Sequence, residues 1–295
     1  MILEHEIPNG SKLYFGKGAR VKREIENVAS TILDANGFEE IVTPVFSYHQ
    51  HLSIADEKRL IKANDEKNNP ISLRADSTID VIRIIEKRLG RNTQHRKWFY
   101  IQPIFTYPTT EQNQIGAEFM GEKKLSSVMK IATEILHKLE VKPLIQISNI
   151  RIPKLLVEMF DELSLDDFRH TNIDKFLNLD IEWLKKLVYL QHTHQLDELL
   201  MVVPKSIKIE LEKMQDLAQE ASSKNIVLAP MYYAQMLYYD EVFFRMIDKN
   251  EVYARGGRYT SSEINSVGFA IYTDALCEKI VLNDSNNKRG NFNES

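Results

Sequence analysis

The sequence predicts an α+β fold, with an antiparallel sheet that is flanked by helices and interrupted by a helical insertion. Apolar residues recur at helical spacing near the N-terminus and around residue 130, whereas strand-like runs occur before residue 150 and after residue 225. Between about residues 152 and 222 only helical patterns occur. Because the strand runs mostly follow one another without crossover helices of regular length, antiparallel pairing is favoured.

The first half of the chain begins with an amphipathic helix over residues 19–36. Its apolar side chains run from Val21 to Leu33 at helical spacing, and Gly37 is placed to end it. A short strand over 38–43 is broken by Pro44, and a second helix is expected from about residue 77 to Gly90. The further elements expected here are strands at 98–105 and 114–119, a helix at 125–139 and a strand at 144–147.

The second half of the chain opens with the helical insertion and then returns to strands. The expected elements are helices at 155–163, 181–190 and 207–221, strands at 226–228, 242–247, 252–254 and 267–272, and a short helix at 275–280. We therefore expect a core over residues 1–281 that includes the insertion at about 152–222. The almost entirely polar tail, 282–295, is expected to be disordered.

The composition excludes several classes of protein. A net charge of −4 over 295 residues argues against a dedicated nucleic-acid binder, and the single cysteine, Cys277, excludes an intrachain disulfide and a cysteine metal cluster. The paired histidines at 49 and 51 and at 192 and 194 lack a third ligand at zinc-like spacing, so no metal is expected. Without a signal peptide or an apolar run long enough for a membrane helix, a cytoplasmic location is expected.

The segment at 114–119 is the most informative short stretch for chemistry. In a strand, Gln114, Gly116 and Glu118 share one face, so an amide and a carboxylate flank a residue without a side chain. This pattern is typical of the solvated face of a one-sided sheet. It also suits the floor of a pocket, because glycine leaves room for a group to lie against the backbone. Both interpretations stay open on this segment alone.

Two further segments carry polar groups at informative places. Residues 73–78 bring a carboxylate and two hydroxyls to the start of the second helix, where simple N-capping would need only one of them. Residues 255–259 place a pair of glycines between two arginines after the expected hairpin. A glycine pair is typical of a turn and is weak evidence for anion binding.

In their order along the chain, these segments resemble class II aminoacyl-tRNA synthetases of the histidyl type and their paralogues. Residues 37–44 resemble motif 1, the dimer-interface element that ends in proline, and 100–105 resemble the first strand of motif 2. Residues 73–78 resemble the histidyl Leu-Arg-Pro-Glu-Gly-Thr segment, with departures at its third, fourth and fifth positions. Residues 114–118 match Gln-x-Gly-x-Glu, and 255–259 with 268–270 match the approach to motif 3.

The resemblance implies a histidine pocket. In the family, the residues corresponding to Asp76, Thr78, Gln114 and Glu118 surround bound histidine. Tyr238 and Tyr239 resemble a tyrosine pair that covers the ligand, although they would equally serve as ordinary core residues or as the remains of a decayed pocket.

The same resemblance shows what this chain lacks. Adenylate formation brings two anions together, and class II enzymes stabilise them with fixed arginines. The positions of three such arginines are occupied here by Thr106 in motif 2, Ala275 in motif 3 and Ala234 before the tyrosine pair. An adenylating enzyme is therefore not expected, unless Arg255, Arg258 or Lys97 supplies the charge from elsewhere. The same loss leaves open which cation would hold the carboxylate of a bound histidine.

A histidyl-type core without an anticodon-binding domain resembles the regulatory subunits of ATP phosphoribosyltransferase. This resemblance implies a non-catalytic partner of a short-form catalytic subunit in a hetero-octamer, with histidine as effector, self-association through the motif 1 region, and no tRNA, cofactor or membrane. Two alternatives remain open: an active ligase that adenylates an amino acid, and a ligand-free partner that only holds the catalytic subunit.

Overall fold

The main feature of the computed structural model is one eight-stranded sheet. The structure describes residues 6–52, 54, 56–90, 93–221, 223–233, 239–261 and 264–290. The strand order in the main sheet is β1-β5-β6-β11-β10-β9-β7-β8, and β2, β4 and β3 form a small second sheet. The strands are β1 Glu39–Glu40, β2 Phe46–Ser47, β3 Lys62–Asn64, β4 Pro70–Leu73, β5 Lys97–Thr106, β6 Thr110–Met120, β7 Leu144–Asn149, β8 Ile226–Leu228, β9 Tyr239–Asp248, β10 Glu251–Ser261 and β11 Ile264–Tyr272.

The centre of the sheet is antiparallel, as expected, and its two edges are parallel. Strands β5, β6, β11, β10, β9 and β7 pair antiparallel in that order. The short strands β1 and β8 pair parallel with β5 and β7. Parallel pairing needs a crossover connection. The segment between β1 and β5 includes the small sheet, and the segment between β7 and β8 contains the helical insertion.

Helices cover one face of the main sheet and fill the insertion. The helices are α1 Gly16–Ala35, α2 Thr78–Ile84, α3 Leu125–Lys138, α4 Arg151–Met159, α5 Leu165–Arg169, α6 Ile173–Leu177, α7 Glu182–Val188, α8 Leu196–Val202, α9 Lys205–Glu220 and α10 Thr273–Gly290. A π-helical turn, Ile85–Leu89, extends α2. None of the helices in the described ranges is long and apolar enough to cross a membrane.

The apolar core lies between the sheet and helices α1, α3 and α10. Helix α1 contributes Val21, Ile25, Ala29 and Leu33 to this core, as its spacing predicts, and Gly37 follows it with a φ of 76°. The left-handed backbone there favours glycine and explains why the helix ends at this point. We call the sheet face against these helices the back face, and the face that bears Glu118 the front face.

Two expectations differ from the structure. The predicted strand at 38–43 forms only Glu39–Glu40, after which Ile41 still donates one backbone hydrogen bond to the Phe99 carbonyl. The glycine pair at 256 and 257 lies inside β10 and not in a turn. Helix α10 runs to Gly290, with Leu276 and Cys277 buried near its start, and the disorder of the polar tail stays a prediction.

Candidate ligand-binding site

A small cavity lies on the front face, where the start of α2 meets strands β6, β10 and β11. Five of the residues that the sequence predicts for a histidine pocket line it: Asp76, Thr78, Gln114, Glu118 and Tyr239. Arg255, Tyr259, Gly268, Phe269, Ala270 and Tyr272 complete the lining. The strand register brings the two polar ends of the predicted face into place, since Gln114 pairs with Tyr272 and Glu118 pairs with Gly268. Tyr238 and Ala234 lie outside the described residues.

Glu118 is the central polar group of this cavity. It is almost fully buried, and the Tyr259 hydroxyl donates a hydrogen bond of 2.7 Å to its Oε2 atom. The pKa of Glu118 is raised to about 8, mainly by burial; hydrogen bonds from Tyr259, Thr78 and Tyr100 oppose the shift, and the charge of Asp76 contributes to it. The side chain therefore holds a proton over much of the neutral range and can donate or accept a hydrogen bond.

The glycines of the front face make room for protein side chains. The space above Gly116 is filled by the ring of Tyr100, so this glycine is not the open floor that the sequence suggested. Gly268 lines the cavity, and the space above it is filled by the Glu118 carboxylate, which a Cβ at this position would overlap. The glycine at this position therefore lets a buried carboxylate lie flat against the neighbouring strand.

The glycine pair in β10 has a similar explanation. A Cβ on Gly257 would lie 2.5 Å from the Tyr239 ring, and a Cβ on Gly256 would overlap the Phe244 ring. Two aromatic side chains thus approach the strand from its two sides, and only glycine admits both. The pair is a packing feature and not a phosphate-binding turn.

Asp76 and Thr78 lie at the start of α2, in a segment whose backbone is held by Gln50. The Gln50 side chain accepts hydrogen bonds from the backbone N–H groups of Ala75 and Asp76 at 2.8 and 2.7 Å. The Gln50 Nε2 atom donates to the Asp76 carbonyl at 2.9 Å and to Asp80 at 2.6 Å. One carboxylate oxygen of Asp76 also accepts from the Ile79 N–H at 3.3 Å. Asp76 therefore caps the helix and lines the cavity at once, and both roles considered for this segment are present.

The three cations that were considered as replacements for the missing arginines lie in different places. Arg255 lines the cavity. Arg258 lies on the opposite face of β10 and binds Glu241 at 2.7 Å, whereas the Lys97 Nζ atom donates to the Asn36 carbonyl at 3.0 Å. Of these three, Arg255 alone has a place at the site.

Two of the three positions at which the family resemblance expects arginine, Thr106 and Ala275, lie among the described residues. Thr106 is buried at the end of β5, and Ala275 packs against the apolar core from the first turn of α10. The adjacent Asp274 links α10 to β6 and to the segment before α1. It accepts hydrogen bonds from the Tyr14 hydroxyl and, at 2.9 Å, from the backbone and side chain of Asn113. This region provides neither of the two charges that motifs 2 and 3 would supply.

The cavity is small in this conformation. Its open volume is about 30 Å³, which is room for one or two water molecules. An amino acid would enter only if some of the lining side chains moved apart. A larger cleft of about 660 Å³ lies at the other end of these strands, but residues such as Lys87, Gln94 and Arg96 leave it open to solvent. Buried, convergent polar groups distinguish the smaller cavity as the candidate site.

Two contributors to the site were absent from the sequence-based set. Tyr259 and Tyr272 line the cavity, and Tyr259 holds Glu118. Strand alternation from Arg255 through Gly257 would have placed Tyr259 on the front face, but the glycine pair was interpreted as a turn. Within the described ranges, no group of three or more histidine, cysteine or acidic side chains could hold a metal ion.

Comparison with known proteins identifies the family of this chain. The histidyl-tRNA synthetase family profile matches residues 16–276. The ATP phosphoribosyltransferase regulatory subunit of Wolinella succinogenes is 48% identical over 95% of this chain and 98% of its own length. The protein of the same name from Helicobacter hepaticus is 40% identical over 94% of this chain and 99% of its own length.

Solved structures establish the same fold. An ATP phosphoribosyltransferase regulatory subunit/histidyl-tRNA synthetase from Bacillus halodurans superimposes with a TM-score of 0.76 at 18% identity, covering 95% of this chain and 84% of that chain. A histidine–tRNA ligase subunit from Alicyclobacillus acidocaldarius gives a TM-score of 0.75 at 18% identity and covers 97% and 99% of the two chains. The fold is that of the class II histidyl synthetases, and the chain belongs to the ATP phosphoribosyltransferase regulatory subunits within the histidyl-tRNA synthetase family.

Proposed function

We propose that this chain is a non-catalytic subunit that regulates ATP phosphoribosyltransferase in histidine biosynthesis and responds to histidine. The observation that carries the proposal is a contrast between two sets of residues. Asp76, Thr78, Gln114 and Glu118 converge on a buried cavity, while the family resemblance expects arginine in an adenylating enzyme at the positions of Thr106 and Ala275. Removing one such stabilising group costs about two to three orders of magnitude in rate. An unaided adenylation reaction is therefore not part of the proposal.

The polar groups of the cavity suit histidine. Glu118 has a pKa of about 8 and shares a proton readily with an imidazole, whose own pKa is about 6.5. Asp76 and Gln114 add a carboxylate and an amide oxygen that accept hydrogen bonds from an α-ammonium group. Tyr239 and Tyr272 provide aromatic walls. Regulation further requires that histidine bind unequally to two states of the assembly.

The partners proposed are the short-form catalytic subunit, in a hetero-octamer, and a second copy of this chain. A row of exposed apolar side chains supports self-association near the motif 1 region: Val42, Val45, Phe46 and Tyr48. Exposed apolar patches of this kind mark protein–protein contacts. Cofactor, tRNA and membrane have no place in the proposal.

The direct test mixes the purified chain with the short-form catalytic subunit of the same organism and measures phosphoribosyl transfer. We expect the chain to raise the rate and histidine to lower it again. The variant Glu118→Gln should still assemble and activate but respond less to histidine. A transfer rate that is the same with and without this chain would refute the regulatory role. ATP–pyrophosphate exchange with histidine, expected to be absent, tests the alternative of an active ligase.

The small volume of the cavity favours a second candidate, a ligand-free partner that only holds the catalytic subunit. Calorimetric titration separates the two. Heat released by L-histidine on the assembled complex supports a sensor, whereas intact assembly without any binding heat supports the ligand-free partner.

A further inference from the structure

A basic stretch of the chain borders the larger cleft, which is separate from the small cavity. Six lysine and arginine residues and one acidic residue lie between positions 83 and 97, although the whole chain has a net charge of −4. The structure places part of this stretch around the cleft of about 660 Å³, together with the end of β6 and the start of β11. Positive charge that is concentrated in this way is typical of a surface that contacts an anionic partner.

The floor of the cleft is apolar and belongs to the core. Ile85, Met120 and Ile264 are its apolar lining residues. Ile85 and Met120 are buried in the apolar cluster that also contains Trp98 and Tyr100. Because the core holds these side chains in place, they form a fixed surface on which an apolar side chain of another molecule can pack.

The rim of the cleft carries cations that the chain itself does not neutralise. Lys87 and Arg96 line the cleft, and both are exposed. Neither forms an ion pair with a residue that the structure describes. Glu86 is the one acidic side chain among the described lining residues, so positive charge is in excess at the rim. Rim charges of this kind govern the rate and the specificity of association with a partner.

Hydrogen bonds fix the segment that leads into β5 along this rim. The His95 N–H donates to the Thr93 hydroxyl at 3.0 Å, and the Trp98 ring N–H donates to the His95 carbonyl at 3.2 Å. The His95 and Trp98 rings meet edge to face, with their centres 5.1 Å apart. The Arg96 carbonyl accepts a hydrogen bond of 2.8 Å from the Met120 N–H. A segment that is already ordered loses little conformational entropy when a partner binds.

A glycine allows Arg96 to lie close to the end of β6. The φ of Gly121 is 79°, in the left-handed region that favours glycine, and a Cβ at this position would be 3.1 Å from the Arg96 Nη1 atom. The close approach keeps the guanidinium beside the cleft. A planar guanidinium held there can bind a carboxylate through two parallel N–H groups.

The shape of the cleft favours a protein segment over a small molecule. The cleft is open to solvent along Lys87, Gln94 and Arg96. A small-molecule site encloses most of the surface of its ligand. A segment of another protein, in contrast, needs only to place carboxylates beside the rim cations and one apolar side chain on the floor.

We propose that this cleft binds an acidic segment of the catalytic subunit of ATP phosphoribosyltransferase, with an apolar side chain of that segment on Ile85 and Met120. The inference rests on the proposed function, which supplies the partner. It assigns that partner to a surface other than the exposed apolar row proposed for self-association. The carboxylates of the segment neutralise Lys87 and Arg96.

Charge reversal at the rim tests the assignment. The rim variant combines Lys87→Glu and Arg96→Glu, and the matched control combines Lys130→Glu and Lys142→Glu. The control changes the net charge by the same amount at exposed lysines outside the cleft. Calorimetry at several salt concentrations measures the dissociation constant of the complex with the catalytic subunit. We expect about tenfold to a hundredfold weaker assembly for the rim variant, with a smaller dependence on salt, and unchanged assembly for the control.

A crosslink gives a second measurement that does not depend on the stability of the charge variants. A photoreactive amino acid in place of Gln94, which is exposed and lines the cleft, should crosslink to the catalytic subunit in the assembled complex. A crosslink to a second copy of this chain, and none to the catalytic subunit, would overturn the proposal, because the cleft would then belong to the self-association surface.

The outcomes separate this inference from the proposed function. If the unmodified chain neither binds the catalytic subunit nor changes its rate, the proposed function and this assignment fail together. If the unmodified chain binds and the rim variant binds as tightly as the control, only the assignment of this cleft fails.

Discussion

Two buried or half-buried clusters of charged and hydrogen-bonding groups lie on opposite sides of strand β10. They differ in how their positive and negative charges are paired. At the junction with the helical insertion, Lys213 binds Glu210 and Glu241 at 3.0 Å, and Arg258 binds Glu241 at 2.7 Å. Two cations and two carboxylates satisfy one another there. On the front face, Glu118 and Asp76 share a cavity, and the charge of Asp76 raises the pKa of Glu118. Arg255 lines the same cavity.

This difference between the two clusters indicates where a ligand would bind. The junction cluster is complete within the chain, so it serves to attach the helical insertion to the sheet. The front-face cluster places the buried carboxyl of Glu118 in one small cavity with Asp76 and Arg255. Burial raises the pKa of Glu118, so the cavity favours the protonated form of this carboxyl. Such a group suits a ligand with which it can share a proton or a hydrogen bond.

The largest expected effect comes from Gly268→Ala. The new Cβ would overlap the Glu118 carboxylate and lie 2.9 Å from the Ala117 carbonyl oxygen, so Glu118 must leave its position. We expect histidine affinity to fall by more than a hundredfold and the free energy of unfolding to fall by about 1–3 kcal/mol. Calorimetry and urea denaturation measure the two effects.

Gly18→Ala is the control for that substitution. Gly18 lies in α1, where an added Cβ would come no closer than 3.9 Å to a neighbouring side chain, that of Tyr14. Alanine in a helix is favoured over glycine by up to about 1 kcal/mol, so this variant should be slightly more stable and bind normally. Equal losses of binding in the two glycine variants would mean that the front-face cluster is not special.

The same cluster shows which features sequence patterns can and cannot predict. Local periodicity sufficed for α1, α3 and the strands β5 to β9 and β11, and alternation placed Gln114 and Glu118 on one face. The glycine pair at 256 and 257 was misread because its signal is local. Its cause, the approach of Tyr239 and Phe244, comes from residues distant along the chain. Gly116 likewise suited a pocket floor as well as a solvated face, because nothing in the local sequence shows where the Tyr100 ring lies.

The second largest effect should be the dependence of histidine affinity on pH. Between pH 6.5 and 8, free histidine is mostly neutral and Glu118 holds its proton, so the complex forms without net proton exchange. Below this range the imidazole arrives protonated and one proton must leave. Above it, Glu118 has already lost the proton that the pair shares. Affinity should therefore be highest in this window and fall by up to about tenfold per pH unit on either side.

In Glu118→Gln, histidine affinity should no longer fall as the pH rises above 8. Between pH 6.5 and 8 the affinity should be about tenfold or more below that of the wild type. The substitution also changes the unliganded protein. The folded state keeps the Glu118 proton up to about pH 8, whereas an ordinary carboxyl releases it near 4.5. Unfolding is thus favoured as pH rises through this interval, by at most about 1.4 kcal/mol per pH unit. Wild type and variant with the same slope of stability against pH would contradict the buried, protonated state.

A smaller effect is expected from Gln50→Ala. Gln50 makes no contribution to the cavity lining but holds the backbone of Ala75 and Asp76 through several hydrogen bonds. Its removal should leave these buried groups unsatisfied and let Asp76 move, at a cost of about 1–3 kcal/mol in stability and about tenfold in histidine affinity. Binding that stays unchanged in a destabilised protein would show that Asp76 is held by the helix cap alone.

The smallest effect should follow Arg258→Gln, which removes one ion pair from the junction cluster. Arg258 and Glu241 keep about a quarter of their side-chain surface exposed, and Lys213 still neutralises Glu241 in the variant. Solvent screening limits such a pair to roughly 0–1 kcal/mol. We expect a small loss of stability by urea denaturation and a change in histidine affinity of less than twofold. A large loss of binding would mean that the two sides of β10 are energetically coupled, and the front-face cluster would then depend on how the helical insertion is attached.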